Sequence, residues 1–239
     1  MNHAVTFDFG QTLAELDTGM LARRLAERGT TADAGALDGA LTGAWTAYNR
    51  AILEGRGGHP WKLLMTTLLT GAGVAEPACP SLVDWLWDEQ PRANLWRRPI
   101  PGMIDLAIEL GRAGVPVAVV SNSEGKLAEL ADELGWRAHF EVIADSGRLG
   151  FEKPGREIFA WTAEKLGVPL GAIVHVGDAW AADFEGALGA GMRAILFRGQ
   201  AFIPPENPHR DNSRAAFCTE AHEVRQALSR WGFPLTPRT

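Results

Sequence analysis

The sequence predicts an α/β fold, a doubly wound parallel sheet with an inserted α-helical domain, and three observations carry that prediction. Short, nearly continuous apolar runs recur along the chain. Segments with helical spacing separate them. Between residues 16 and 97 helical periodicity stands alone, with no strand among it. Unbroken rather than alternating apolar strands are usual where both faces of a sheet are covered, and the alternation of strand with helix places a parallel sheet between helical layers.

The first strand is expected over residues 4–9, AVTFDF, directly after the N-terminal Met-Asn-His. The insertion follows it. Its helices are expected over residues 20–28, 33–54, 61–69 and 81–88, with Gly55, Gly57, Gly58 and Pro60 breaking the second from the third. Pro101-Gly102 then opens a helix of the α/β part, and further strands are expected over 116–120, 141–144, 172–176 and 194–197. Leu127, Leu130, Ala131 and Leu134 share one helical face that ends at Gly135, and Ile158, Phe159, Thr162, Ala163 and Leu166 share another that ends at Gly167 with Pro169 beyond. A last helix carries Val224, Ala227, Leu228 and Trp231, and the stretch IPPENP before it reads as a surface loop. The expected domains are 1–15 with 98–239, and 16–97.

With 239 residues the chain is long enough to bury a full core. A net charge of -6 and the lack of any basic stretch give no footprint for nucleic acid or an anionic membrane, so a small molecule is the expected partner. Cys79 and Cys218 are far apart and lack metal-ligand spacing, which reads as two reduced thiols. No apolar run approaches the length of a membrane span and no charged leader precedes the first strand, so a cytoplasmic location is expected. Oligomeric state is left open. Five of the nine tryptophans, Trp45, Trp61, Trp85, Trp87 and Trp96, fall in or beside the insertion, as expected of a small helical domain that needs large residues to fill its core.

Asp8, Ser121 and Asp178 each end an apolar run, and this places them at one rim of the sheet. Asp183 follows Asp178 by five residues, and Lys153, one of only four lysines against nineteen arginines, precedes Pro154. Taken in order, FDFGQTL, VVSNS, GFEKPGREIF and HVGDAWAADFEGALGAGM resemble the haloacid dehalogenase superfamily over roughly residues 1–15 and 98–200. The insertion after the first motif matches the helical cap of one branch of that superfamily.

The resemblance implies a phosphatase. Asp8 would be the nucleophile and form an aspartyl-phosphate. Mg²⁺ would be held by Asp178, by Asp8 and by the backbone carbonyl of Gly10, with Asp183 orienting Asp178 or a water beside the ion. Ser121 with the amides of Asn122 and Ser123, at an expected helix start, would hold phosphate oxygens, and Lys153 would neutralise a phosphate oxygen and Asp8 together. His175, inside a strand, reads as a packed residue.

Gly10 departs from the pattern, because the phosphatases of the superfamily usually carry at this position a second Asp that protonates the leaving oxygen and later activates water. Three enzymatic readings follow: a phosphatase whose leaving group is stable unprotonated, or is protonated by Glu15, Asp17 or His59; a carbon–halogen hydrolase, against which the pair Asp178 and Asp183 argues; and a phosphonate hydrolase using Lys62, the one lysine of the insertion. A binding protein that has kept the fold and lost turnover is the alternative from another class.

Overall fold

The computed structural model describes residues 3–54, 60–198, 203 and 207–235. The chain starts with β1 (Ala4–Phe7) and a short strand β2 (Ala14–Leu16), then runs through α1 (Thr18–Glu27), α2 (Ala34–Leu53), α3 (Trp61–Gly71) and α4 (Cys79–Glu89) to β3 (Trp96–Pro99). Next come α5 (Met103–Arg112), β4 (Val117–Ser121), α6 (Leu127–Glu133), β5 (Val142–Asp145), the single turn α7 (Ser146–Leu149) and α8 (Arg156–Leu166). The last part holds β6 (Ile173–Gly177), a π-helical turn Trp180–Glu185, α9 (Gly186–Ala190), β7 (Arg193–Phe197), β8 (Ala215–Cys218) and α10 (Ala221–Arg230).

Six strands form one parallel sheet in the order β5-β4-β1-β6-β7-β8, and β2 pairs with β3 in a separate two-stranded ribbon. From β1 the chain steps outward through β4 to β5, then returns to the other side of β1 for β6 and steps outward again. That reversal opens a crevice beyond the carboxyl ends of β1 and β6, the usual ligand site of a doubly wound sheet. The central strands β1, β4 and β6 are buried at every position, which explains why their sequences read as continuous apolar runs.

Two compact units divide the chain: Met1–Glu15 with Arg97–Thr239, and Leu16–Trp96. In the α/β unit Phe7, Phe159, Phe184 and Phe197 are fully buried. The helical unit packs Leu21, Leu25, Leu64, Met65, Leu68 and Leu86 around a core of its own. Trp61 is buried in that core and Trp45, Trp85 and Trp96 pack against it, whereas Trp87 stays 42% exposed with its ring edge-on to Trp61. Core filling thus accounts for four of these five tryptophans and not for Trp87. Both cysteines are buried and neither is in a disulfide, and burial pushes the Cys218 thiol up to about 12. Among the described residues no helix is long and apolar enough to cross a membrane.

Three features depart from the sequence reading. β8 and the β2–β3 ribbon are not among the expected strands; β8, AAFC, offers too few large apolar residues to stand out from the polar stretch before it. α6 begins at Leu127, six residues beyond Ser121, because the chain between is pulled aside and passes through a left-handed Gly125 (φ 89) that no helix continues. Of the IPPENP stretch, residues 204–206 lie outside the described residues.

Candidate active site

Lys153 is the centre of the crevice. Its ammonium donates to Asp8 Oδ1 at 2.6 Å, to Asp183 Oδ1 at 2.6 Å and to the Val120 carbonyl at 2.7 Å, so all three of its donors are used. The side chain is buried, and what steers it there is a reciprocal pair: the Asn122 side-chain amide donates to the Lys153 carbonyl and its oxygen accepts the Lys153 N–H, each at 2.9 Å. Asp8 is placed by β1, with its N–H on the Val176 carbonyl of β6 at 2.8 Å, and the Ser121 hydroxyl also hydrogen-bonds its carboxylate.

Asp183 comes to this point from the π-helical turn, a feature frequent at functional sites. Its Oδ1 takes Lys153 and His175 Nε2 (3.1 Å), and its Oδ2 takes the Ala179 N–H (2.9 Å). Gly177 is what allows this, since a Cβ there would stand 2.3 Å from the Asp183 Cγ. His175 is 1% exposed and its Nδ1 meets the Thr6 hydroxyl of β1 at 2.9 Å. The expected packed histidine is therefore also hydrogen-bonded to a site carboxylate.

Asp8, Asp178 and Asp183 offer oxygens that all lie within 4.8 Å of one another, against the single Lys153 charge. The electrostatics follow from that imbalance. Burial, then the negative charges of Asp183 and Asp8, raise Asp178 well above the usual carboxylate range. Burial likewise raises Asp8, with the Asp183 charge adding to it and Lys153 opposing. Burial would raise Asp183 too, but Lys153 and His175 outweigh it and hold that carboxyl well below the usual range. For Lys153 burial opposes the charge, and Asp183 and Asp8 override it to raise the pKa; burial lowers that of His175. Three hard oxygen donors with surplus negative charge suit a hard divalent cation. Asp8 and Asp178 are the better direct ligands, because every oxygen of Asp183 already accepts an N–H. Gly10 sits two residues beyond Asp8, on an isolated bridge to Ala14.

The loop after β4 differs in detail from expectation. The Ser123 N–H is taken by Ser146 Oγ (3.0 Å) and its hydroxyl by Asp145 Oδ1 (2.6 Å), which leaves Ser121 and the Asn122 backbone as the groups nearest this role. Asp145, which the sequence reading passed over, also accepts the N–H groups of Gly125, Leu127 and Gly147, each at 3.0 Å. The alternative proton donors and the insertion lysine are otherwise engaged. Glu15 pairs with Arg98 (3.0 Å) and Arg198 (3.6 Å), Asp17 caps α1 through the Met20 N–H, and Lys62 is exposed and paired with Asp84 (2.6 Å). His59 lies outside the described residues.

Comparison with known proteins decides the family, since a model of haloacid dehalogenase-like hydrolases matches residues 3–191. The chain belongs to that family. It is 26% identical over 211 residues to bovine haloacid dehalogenase-like hydrolase domain-containing protein 3, covering 84% of each chain; the match to the mouse protein of that name is 29% identical and covers 58% of this chain and 55% of that one. It is also 33% identical over 128 residues to the Escherichia coli 5-amino-6-(5-phospho-D-ribitylamino)uracil phosphatase YigB, 48% of this chain and 49% of that one. A glyceraldehyde 3-phosphate phosphatase of Methanothermobacter thermautotrophicus is 34% identical over 104 residues, 43% of this chain and 46% of that one. Among solved structures, a Deinococcus radiodurans hydrolase of the family, with bound phosphate and sodium, superimposes with a TM-score of 0.63 at 24% identity over 99% of both chains. A Pseudomonas syringae 2-haloacid dehalogenase gives 0.58 at 21% over 97% of this chain and all of that one. The chain is thus a hydrolase of this family with phosphatases among its relatives.

Proposed function

We propose that this hydrolase is a Mg²⁺-dependent phosphatase that transfers the phosphoryl group of a small phosphorylated metabolite to Asp8, with residues 16–97 serving as a cap domain. The observation that supports it most is the surplus of carboxylate over ammonium around Lys153. A metal-free displacement of halide gains nothing from two extra carboxylates beside its nucleophile, whereas an anionic phosphate and an anionic nucleophile need a cation between them. Mg²⁺ held by Asp8 and Asp178 would neutralise that repulsion. Lys153 keeps one Asp8 oxygen in place and lends its positive charge to the site, and Ser121 and the Asn122 backbone N–H hold phosphate oxygens. The other Asp8 oxygen attacks phosphorus, the bond to the leaving oxygen breaks, and that oxygen departs with the electron pair.

It departs without help from position 10. General acid catalysis contributes about 10² to 10⁴ in rate, roughly 3 to 5 kcal/mol, and Gly10 offers none. Glu15 and Asp17, both engaged elsewhere, do not replace it. The favoured substrates are therefore acyl, anomeric or aryl phosphates, whose leaving groups are stable as anions. The test is a series of phosphate esters assayed with Mg²⁺ in the wild type, Asp8→Asn and Gly10→Asp. Asp8→Asn is expected to abolish turnover, wild-type rates to depend steeply on leaving-group pKa, and Gly10→Asp to flatten the slope. Gly10 is not among the glycines with left-handed backbone, so its φ does not bar an Asp. Equal rates in wild type and Asp8→Asn would leave only a binding role, and turnover confined to 2-haloacids with chelator present would favour the dehalogenase reading.

A further inference from the structure

Among the described residues only two that are not glycine hold a left-handed backbone, and one of them, Gln11 (φ 55), lies in the turn that follows Asp8. A side chain with a Cβ is disfavoured there and glycine is not. The neighbouring glycine, Gly10, occupies an ordinary backbone region. Glycine and glutamine thus stand in the opposite order to the one the backbone would favour. The turn itself is firmly made: the Gln11 N–H donates to the Ala14 carbonyl at 2.7 Å, and the N–H groups of Leu13 and Ala14 donate to the Phe9 carbonyl, each at 2.9 Å. Gln11 is half-buried, and its side-chain amide has no hydrogen-bond partner among the described residues. A residue kept in a strained conformation without a structural partner, three positions from a nucleophile, points to a role in the chemistry.

We propose that the Gln11 side chain orients the water that hydrolyses the aspartyl-phosphate on Asp8. The inference rests on the phosphatase reading above. The amide oxygen accepts a hydrogen bond from the water and the amide NH₂ donates to a phosphoryl oxygen. The water oxygen attacks phosphorus, the bond from phosphorus to the Asp8 oxygen breaks, its electron pair returns to the carboxylate, and the water proton leaves on the phosphate released. A neutral amide positions water but donates no proton to an alkoxide. Gln11 therefore serves the second half-reaction and leaves the first as dependent on the leaving group as Gly10 makes it.

The experiment compares wild type, Gln11→Gly and Gln11→Asn by thermal melting and by rapid-mixing assays with an aryl phosphate and Mg²⁺. Gln11→Gly relieves the backbone and is expected to raise Tm by roughly 2 to 4 °C. It is also expected to lower steady-state kcat about tenfold or more and to produce a burst of phenolate equal to the enzyme present, because the second step becomes limiting. Gln11→Asn, which tolerates this backbone and keeps a shorter amide, should recover part of kcat. A Gln11→Gly enzyme with unchanged kcat, a slowed one with no burst, or one with lowered Tm would overturn the proposal. Wild-type turnover that survives Asp8→Asn would instead sink the phosphatase reading itself, so the two failures are told apart.

Discussion

Asp145 and Asp183 are equally buried, 2% and 1% exposed, and both stand at the carboxyl edge of the sheet, yet the protein compensates them in opposite ways. Asp145 is surrounded by neutral donors: one hydroxyl and three backbone N–H groups fill its two oxygens. Asp183 shares the Lys153 ammonium with Asp8 and has Asp178 within reach. Neutral dipoles satisfy a charge where it stands, so Asp145 fixes a loop and asks for nothing more. One ammonium among three carboxylates leaves net charge behind, and a cleft with net charge is built to receive a counter-ion.

The largest effect that would sharpen this contrast is expected from Lys153→Met. Removing the shared cation leaves buried carboxylates uncompensated, which costs about 3 to 5 kcal/mol, and should reduce kcat by at least about 10³. Urea denaturation without Mg²⁺ and steady-state rates with it check the two parts. A smaller loss is expected from Asp145→Asn, about 1 to 3 kcal/mol, because the amide NH₂ faces a backbone N–H where an oxygen stood. Its kinetic signature should be a raised KM with kcat within a few-fold of wild type, as the loop after Ser121 loosens. If Asp145→Asn lowered kcat as far as Lys153→Met, the two carboxylates would not differ in kind and the comparison would break.

The same contrast explains what could be read in the sequence. Asp8, Ser121 and Asp178 were legible because each ends an apolar run that the central parallel strands bury on both faces. Lys153 stood out in a chain with few lysines. The functional partners that went unseen are those whose meaning depends on distant chain: Thr6 meets His175 across 169 positions, and Asp145 collects donors from up to 22 residues before it. In sequence the first pair reads as strand interior, and Asp145 only follows the strand expected over 141–144. Ser123 was assigned a free amide for the same reason, since nothing local announces that Ser146 will occupy it. The left-handed backbone of Gln11 leaves a trace only in the reversed order of Gly10 and Gln11.

The central claim, that the surplus carboxylate around Lys153 holds a divalent cation, is tested most directly by melting the wild type and Asp178→Asn across a Mg²⁺ titration. The wild type should be stabilised by mass action, about 2.7 kcal/mol at a hundredfold excess over Kd. Asp178→Asn removes a charge that burial and the carboxylates of Asp183 and Asp8 disfavour, so it should melt above the wild type without Mg²⁺ and gain nothing when Mg²⁺ is added. A wild type whose Tm ignores Mg²⁺, or an Asp178→Asn variant that responds as the wild type does, would contradict the account.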